Sequence, residues 1–298
     1  MLKKITVGIL ITYLAVISIY TSWIYGVLKT PINIPLTIKK PVMASITPTP
    51  PVPTVSPMPE PTQTPKPLSF QEMNNIYGPC AKVFVLMYHH IQTEKEAAKK
   101  KETSLTTYVD YFEKQLQSLK EKNYSVISPK ELIDFFDGKN TIPAKAAILT
   151  FDDGYSDFYT FAFPLLKQYG FKGTVFVPTG LVDNTRYLTW IQIEEMKSSG
   201  LIYFANHTWS HKAVIKNTDD SLKEIQTADI QLKDRGLNQD LVFAYPYGSH
   251  DVTSENILRQ LNYKLAFTTS YGVYQCTKSS LSLPRVRAGN KTPQQLGL

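Results

Sequence analysis

Ala146-Ala147-Ile148-Leu149-Thr150-Phe151-Asp152-Asp153-Gly154 is the stretch whose reading decides the fold. An apolar run stops at two adjacent carboxylates and a glycine. A short unbroken apolar run reads as a strand buried on both faces, as in a parallel sheet covered by helices. A second run, Leu201-Ile202-Tyr203-Phe204-Ala205, leads through Asn206 into His207-Thr208-Trp209-Ser210-His211. Working outward, further candidate strands fall at Val83–Tyr88, Tyr124–Ile127, Gly173–Val177, Leu241–Tyr245, Lys264–Thr269 and Leu283–Arg287, giving eight with Ala146–Phe151 and Ile202–Asn206. Helical stretches separate them. Tyr108, Phe112, Leu116 and Leu119 mark one apolar face. Ser128-Pro129-Lys130-Glu131 supplies an N-cap, a proline at N1 and a glutamate at N3. Strands alternating with helices predict an α/β fold, a (β/α) barrel of seven to eight parallel strands.

In such barrels the reacting groups sit where strands end. Here His89 and His90 end the first candidate strand, Asp152 and Asp153 the third, His207 the fifth and Tyr245-Pro246-Tyr247-Gly248 the sixth. One carboxylate and two imidazoles are a donor set for a divalent metal with an open position, and a second carboxylate beside them is a candidate general base.

These residues resemble the polysaccharide deacetylases with a NodB-homology domain, carbohydrate esterase family 4. Their first signature reads Thr-Phe-Asp-Asp-Gly and their second His-(Ser/Thr)-x-x-His. The resemblance covers about Lys82 to Arg287. It implies a distorted or incompletely closed barrel and a metal held by Asp153, His207 and His211. Zinc suits those donors, with cobalt and nickel as alternatives. It also implies Asp152 as the base and the Tyr247 backbone N–H as an oxyanion donor, with Pro246 fixing the turn. Many relatives place the general acid in a late Leu-x-His motif. No histidine follows His250, so that motif is absent. His89, in Met87-Tyr88-His89-His90, is similar to the Tyr-His of the biofilm-type poly-N-acetylglucosamine deacetylases. It is the candidate acid, against a structural histidine in the barrel mouth. Strand alternation turns His90 away. Where the family's third motif often starts with arginine, this chain has Val242. Arg285 or Arg287 is the candidate replacement for orienting the base, with a surface salt bridge as the competing reading. Tyr245, Pro246, Trp190 and Arg285 are candidate substrate contacts.

The first quarter of the chain differs from the rest. Residues 5–28 carry no charge and are long enough to cross a bilayer. Lys3 and Lys4 precede them, which favours a cytoplasmic residue 1–4 segment. This predicts an uncleaved anchor and an extracellular catalytic domain; a cleaved signal peptide is the competing reading. Twelve of the twenty prolines lie between Pro31 and Pro67, so residues 29–75 read as an extended Pro/Thr-rich linker and residues 76–298 as the catalytic domain. The formal charge is +7, and residues 1–80 account for much of it with six lysines against Glu60 and Glu72. The mildly basic remainder does not call for nucleic acid, and no protein partner is inferred. Cys80 lies just before the first candidate strand and Cys276 just after the seventh; they are a candidate disulfide in an oxidising compartment, the alternative being two unrelated thiols.

The expected activity is therefore metal-dependent removal of acetyl groups from N-acetylglucosamine units of a cell-surface polysaccharide, either poly-N-acetylglucosamine or peptidoglycan. The alternatives are an O-acetyl esterase on glycans such as xylan and a wall-binding protein that has lost activity. The intact Asp152, Asp153, His207 and His211 argue against the last.

Overall fold

The computed structural model describes residues 68–298. The expected anchor at 5–28, the cytoplasmic segment 1–4 and most of the linker lie outside them. Among the described residues no helix is long and apolar enough to cross a membrane. Folded structure starts earlier than the expected boundary at residue 76, with a helix at Phe70–Tyr77. Ser69 and Glu72 cap it reciprocally, and the Phe70 ring packs 5.6 Å from that of Tyr274. The proline-rich composition upstream masked this short capping signal.

Eleven strands follow in chain order: β1 Cys80–Tyr88, β2 His90–Gln92, β3 Thr106–Tyr108, β4 Ser125–Val126, β5 Ala146–Phe151, β6 Gly173–Val177, β7 Ile202–Asn206, β8 Val242–Ala244, β9 Leu265–Tyr271, β10 Tyr274–Cys276 and β11 Leu283–Arg287. Seven of them close a parallel barrel in the order β1, β11, β9, β8, β7, β6, β5, the last pairing back to β1. The eighth candidate, Tyr124–Ile127, shortens to β4 and stays outside the ring. It pairs only with Ala146 and Ala147, at the start of β5. Direct pairing of β1 with all six residues of β5, from Val83 opposite Ala146 to Tyr88 opposite Phe151, fills that edge and leaves β4 no place in the barrel. The short β2, β3 and β10 carry no periodicity long enough to read from sequence.

Alternation along the strands sorts the core. Val83 and Val85, Ala146 and Ile148, Phe176, Ala205, Val242 and Ala244, Leu265 and Phe267, and Leu283 form one buried cluster drawn from all seven barrel strands, so they fill its interior. Their neighbours Phe84, Leu86, Ala147, Leu149, Phe151, Val175, Val177 and Phe204 face outward, against Phe112, Leu116 and Leu119 of the helix Val109–Glu121 and against other helices. The capped helix read from Ser128 is present at Pro129–Phe136. Gly170 takes the left-handed conformation (φ 68°) that ends the helix Phe163–Tyr169.

Cys80 and Cys276 face each other in the antiparallel β1–β10 pair and form a disulfide across 196 residues of sequence. It pins the start of β1, the strand that leads to His89.

Candidate active site

The inward register of β5 runs Ala146, Ile148, Thr150, and continues to Asp152, whose N–H donates to the Tyr88 carbonyl at 2.9 Å. Asp152 thus points into the barrel mouth. From β11, on the other side of β1, the fully buried Arg285 meets it with two parallel bonds: Nη1 to Oδ1 at 2.7 Å and Nη2 to Oδ2 at 2.6 Å. The guanidinium is itself fixed, donating to the Thr268 carbonyl (2.8 Å) and to the Thr150 hydroxyl (3.1 Å). Burial pushes the Asp152 carboxyl up, but the charge and hydrogen bonds of Arg285 outweigh it and hold the group below the usual carboxylate range. Arg285 therefore fixes the orientation of the Asp152 carboxylate, the candidate base. With no accessible surface it is not a substrate contact, which corrects the broader expectation.

Asp153 would face outward by simple alternation. Its φ of 73° turns it back to the rim. There its Oδ1 lies 3.3 Å from His207 Nε2 and 2.9 Å from His211 Nε2, and the three donor atoms fall within 4.8 Å of one another. Burial raises the Asp153 carboxyl, but hydrogen bonds from the two imidazoles prevail and hold it far below its usual range. His207 is buried and donates Nδ1–H to the Ala244 carbonyl at 2.7 Å, which aims Nε2 at Asp153; in the neutral ring that nitrogen carries the lone pair. That arrangement is the one a metal-ligating histidine adopts. The donors fit a divalent ion bound by one carboxylate oxygen and two imidazole nitrogens.

Four non-glycine residues of the site lie in the left-handed region: Asp153, Thr208 (φ 68°), His211 (φ 62°) and Tyr247 (φ 61°). Such conformations cost roughly 1–2 kcal/mol per residue and gather where function needs a particular side-chain aim. At Tyr247 the turn leaves the ring 68% exposed and edge-on to His211, with centroids 4.8 Å apart. The next residue must be glycine. A Cβ on Gly248, already at φ 72°, would meet Thr269 Oγ1 at 2.1 Å and its backbone nitrogen at 2.6 Å.

His89 follows β1 at the same rim. Burial lowers its pKa, while the charges of Asp152 and Asp153 oppose that shift. His90 is committed elsewhere. The strand breaks at His89, so alternation does not apply, and His90 opens β2 with Nδ1 2.6 Å from Asp157 Oδ2 and its ring stacked on Tyr155 at 3.6 Å. Asp157 also accepts from the Ile91 N–H and from Gln92 Nε2. His250 is exposed, with Nε2 3.9 Å from Glu255.

Three expected substrate contacts are placed otherwise. Tyr245 is fully buried, its ring among Phe243 and Tyr263 and its hydroxyl donating to the Leu281 carbonyl at 2.8 Å. Pro246 is buried and shapes the turn ahead of Tyr247. Trp190 is half-buried against the outer core and lies under the Arg235 guanidinium, 3.9 Å from its ring. The exposed aromatics of the mouth are instead Tyr247 and Trp209. Tyr155, which stacks on Tyr187 at 5.4 Å, joins them beside Asp153. Tyr155 directly follows the Asp-Asp-Gly motif, a placement in the sequence that could have singled it out.

A closed parallel barrel thus carries at its C-terminal rim a donor set that could hold a metal ion, beside a clamped carboxylate. The sequence profile described as polysaccharide deacetylase matches residues 139–266. The solved structure of the Streptococcus pyogenes deacetylase PplD in complex with acetate is 36% identical, with a TM-score of 0.65 over 73% of this chain and 97% of that one. IcaB from Ammonifex degensii is 27% identical, with a TM-score of 0.64 over 72% of this chain and 94% of that one. The poly-beta-1,6-N-acetyl-D-glucosamine N-deacetylase of Escherichia coli (strain K12) is 27% identical over 249 residues, 69% of this chain and 36% of that protein. The chain thus spans about a third of the E. coli protein's length. It belongs to the polysaccharide deacetylase family, hydrolases that act on amide bonds, and lies close to the poly-N-acetylglucosamine deacetylases.

Proposed function

We propose that this chain removes N-acetyl groups from a poly-N-acetylglucosamine or peptidoglycan-type polymer in a reaction that depends on a divalent metal, zinc being the preferred ion. The observation that carries the reading is the convergence of Asp153, His207 and His211 within 4.8 Å, beside an Asp152 held ionised by Arg285. A divalent ion held by those three residues would polarise the acetyl carbonyl and make an attacking water easier to deprotonate. Asp152 takes the proton of that water as the new C–O bond forms. Arg285 keeps the carboxylate aimed and unprotonated until then. The Tyr247 N–H donates to the developing oxyanion. His89 gives a proton to the nitrogen as the C–N bond breaks, leaving acetate and a free amine. Burial lowers the His89 pKa, which makes its protonated form the stronger acid. The exposed rings of Tyr247 and Trp209 offer apolar faces to the sugar.

The names of the relatives, and the Tyr88-His89 pair, favour the poly-N-acetylglucosamine substrate. Residues 5–28 would hold the protein at the cell membrane with the barrel outside, spaced by the proline-rich segment. Acetate release measured across poly-β-1,6-N-acetylglucosamine, peptidoglycan, chitooligosaccharides and acetylated xylan tests the reading. Release from the first at the highest kcat/KM is expected. Release from xylan alone would convert the enzyme to an O-acetyl esterase, and release from none would leave the wall-binding alternative.

A further inference from the structure

We infer that Glu224, which lies outside the signature motifs, is the positioning residue that sets the second histidine ligand. The inference rests on the metal-site reading above and extends it to the outer helix Thr218–Lys233. Between His207 and His211 the chain passes through Thr208, Trp209 and Ser210, with both Thr208 and His211 in the left-handed region. A segment so strained holds its shape only when its surroundings over-determine it. Each of the three intervening residues is tied. Thr208 donates its N–H to Asn206 Oδ1 at 2.7 Å. The Trp209 carbonyl accepts from the Gly180 N–H at 2.7 Å. Ser210, the residue directly before His211, is held by a single carboxylate: its N–H donates to Glu224 Oε2 at 2.8 Å and its hydroxyl to Oε1 at 2.7 Å.

Glu224 is 5% exposed, and its cationic neighbour is the exposed Lys212, with Nζ at 3.7 Å. Burying a carboxylate is costly unless its oxygens are paired and accept good hydrogen bonds. Both oxygens here are used on one residue of the ligand loop. The same helix braces the other ligand. Asn206, turned outward by strand alternation while His207 turns inward, donates Nδ2–H to the Ile225 carbonyl (3.1 Å) and to Asp229 Oδ1 (2.9 Å). The helix thus reaches both ends of the His-x-x-x-His segment, through Asn206 at the start and Glu224 at the end.

Two readouts test this in the full-length protein. The first is zinc affinity by competition with a chromophoric chelator. Glu224→Ala should weaken it by about 10- to 100-fold, the usual effect of losing a partner that orients a ligand. Glu224→Gln can still accept from the Ser210 N–H and donate to its hydroxyl, and should stay within about threefold of wild type. The visible spectrum of the cobalt-loaded protein should change in Glu224→Ala and not in Glu224→Gln, which separates positioning from plain loss of stability. Should Glu224→Ala fail to fold, Ser210→Ala removes only the hydroxyl bond and should weaken zinc by about severalfold. The second readout needs no metal: the Ser210 amide should lose hydrogen-exchange protection in Glu224→Ala, and likewise, in part, in Ser210→Ala. Failure of the wild type to bind zinc would count against the proposed function alone. Unchanged zinc affinity in the folded variants, or unchanged protection of the Ser210 amide, would overturn the role of Glu224.

Discussion

Arg285 grips Asp152 over the end of the intervening strand β1 with both terminal nitrogens, at 2.7 and 2.6 Å, and neither residue has appreciable access to solvent. Two strands that never pair with each other, β5 and β11, are both neighbours of β1, and the clamp spans the mouth between them. Removing one partner of such a buried pair leaves the other charged and unmatched, at a cost of about 3–5 kcal/mol.

Arg285→Met should therefore destabilise the protein and move the acid limb of its rate–pH profile. In the folded protein the Asp152 pKa lies below its ordinary value. The pair's stabilisation is accordingly complete above about pH 3.9, the unfolded value, and is lost as pH falls through the lower folded value. Without the guanidinium, burial dominates and the carboxyl protonates at higher pH. The acid limb of kcat/KM should shift upward in Arg285→Met. An unmoved limb in a folded variant would mean that another group sets it.

Ligand and base roles separate by substitution. His207→Ala and Asp153→Ala should each lose both bound metal and activity. Asp152→Asn, whose side chain stays outside the donor set, should keep close to one metal per chain and lose turnover. Metal content by atomic emission alongside acetate release reads both. Full metal occupancy in Asp153→Ala would refute the ligand assignment.

His89 is tested by the leaving group. General acid catalysis contributes about 10²- to 10⁴-fold, and an aryl acetate departs without needing that proton. His89→Ala should slow amide hydrolysis by about that factor and aryl acetate hydrolysis far less. Equal losses on both substrates would assign His89 a structural role.

The Cys80–Cys276 disulfide closes a span of 196 residues. On the chain-entropy account a loop of that size stabilises by up to about 5 kcal/mol. Reduction should lower the denaturation midpoint markedly while leaving metal content in the folded protein unchanged, because the bond lies at the start of β1 and the donors lie at the strand ends. Peptide mapping without reductant should recover the two cysteines linked.

The barrel was legible because the wall strands are apolar runs separated by helical stretches, and strand-end placement brought Asp152, Asp153, His207, His211 and His89 to one rim. The sequence left open whether Arg285 orients the base or lies in a surface salt bridge. That depends on a contact between residues 133 positions apart, which no local pattern encodes. Tyr245 read as a substrate contact because it stands beside Pro246 and Tyr247. Its ring instead packs into the core with Phe243, its hydroxyl on the Leu281 carbonyl, a tertiary placement that no local pattern encodes. Glu224 escaped notice for a similar reason: a glutamate in a polar helix is ordinarily solvated, and its value lies in the loop it happens to face.

Metal dependence is the central claim, and the most direct measurement is acetate release from poly-β-1,6-N-acetylglucosamine by the full-length protein before chelation, after verified metal removal, and after zinc is added back. Release should fall to background on removal and return with about one equivalent of zinc, the capacity of a single site with three protein donors. Undiminished release from verified metal-free protein would contradict the account.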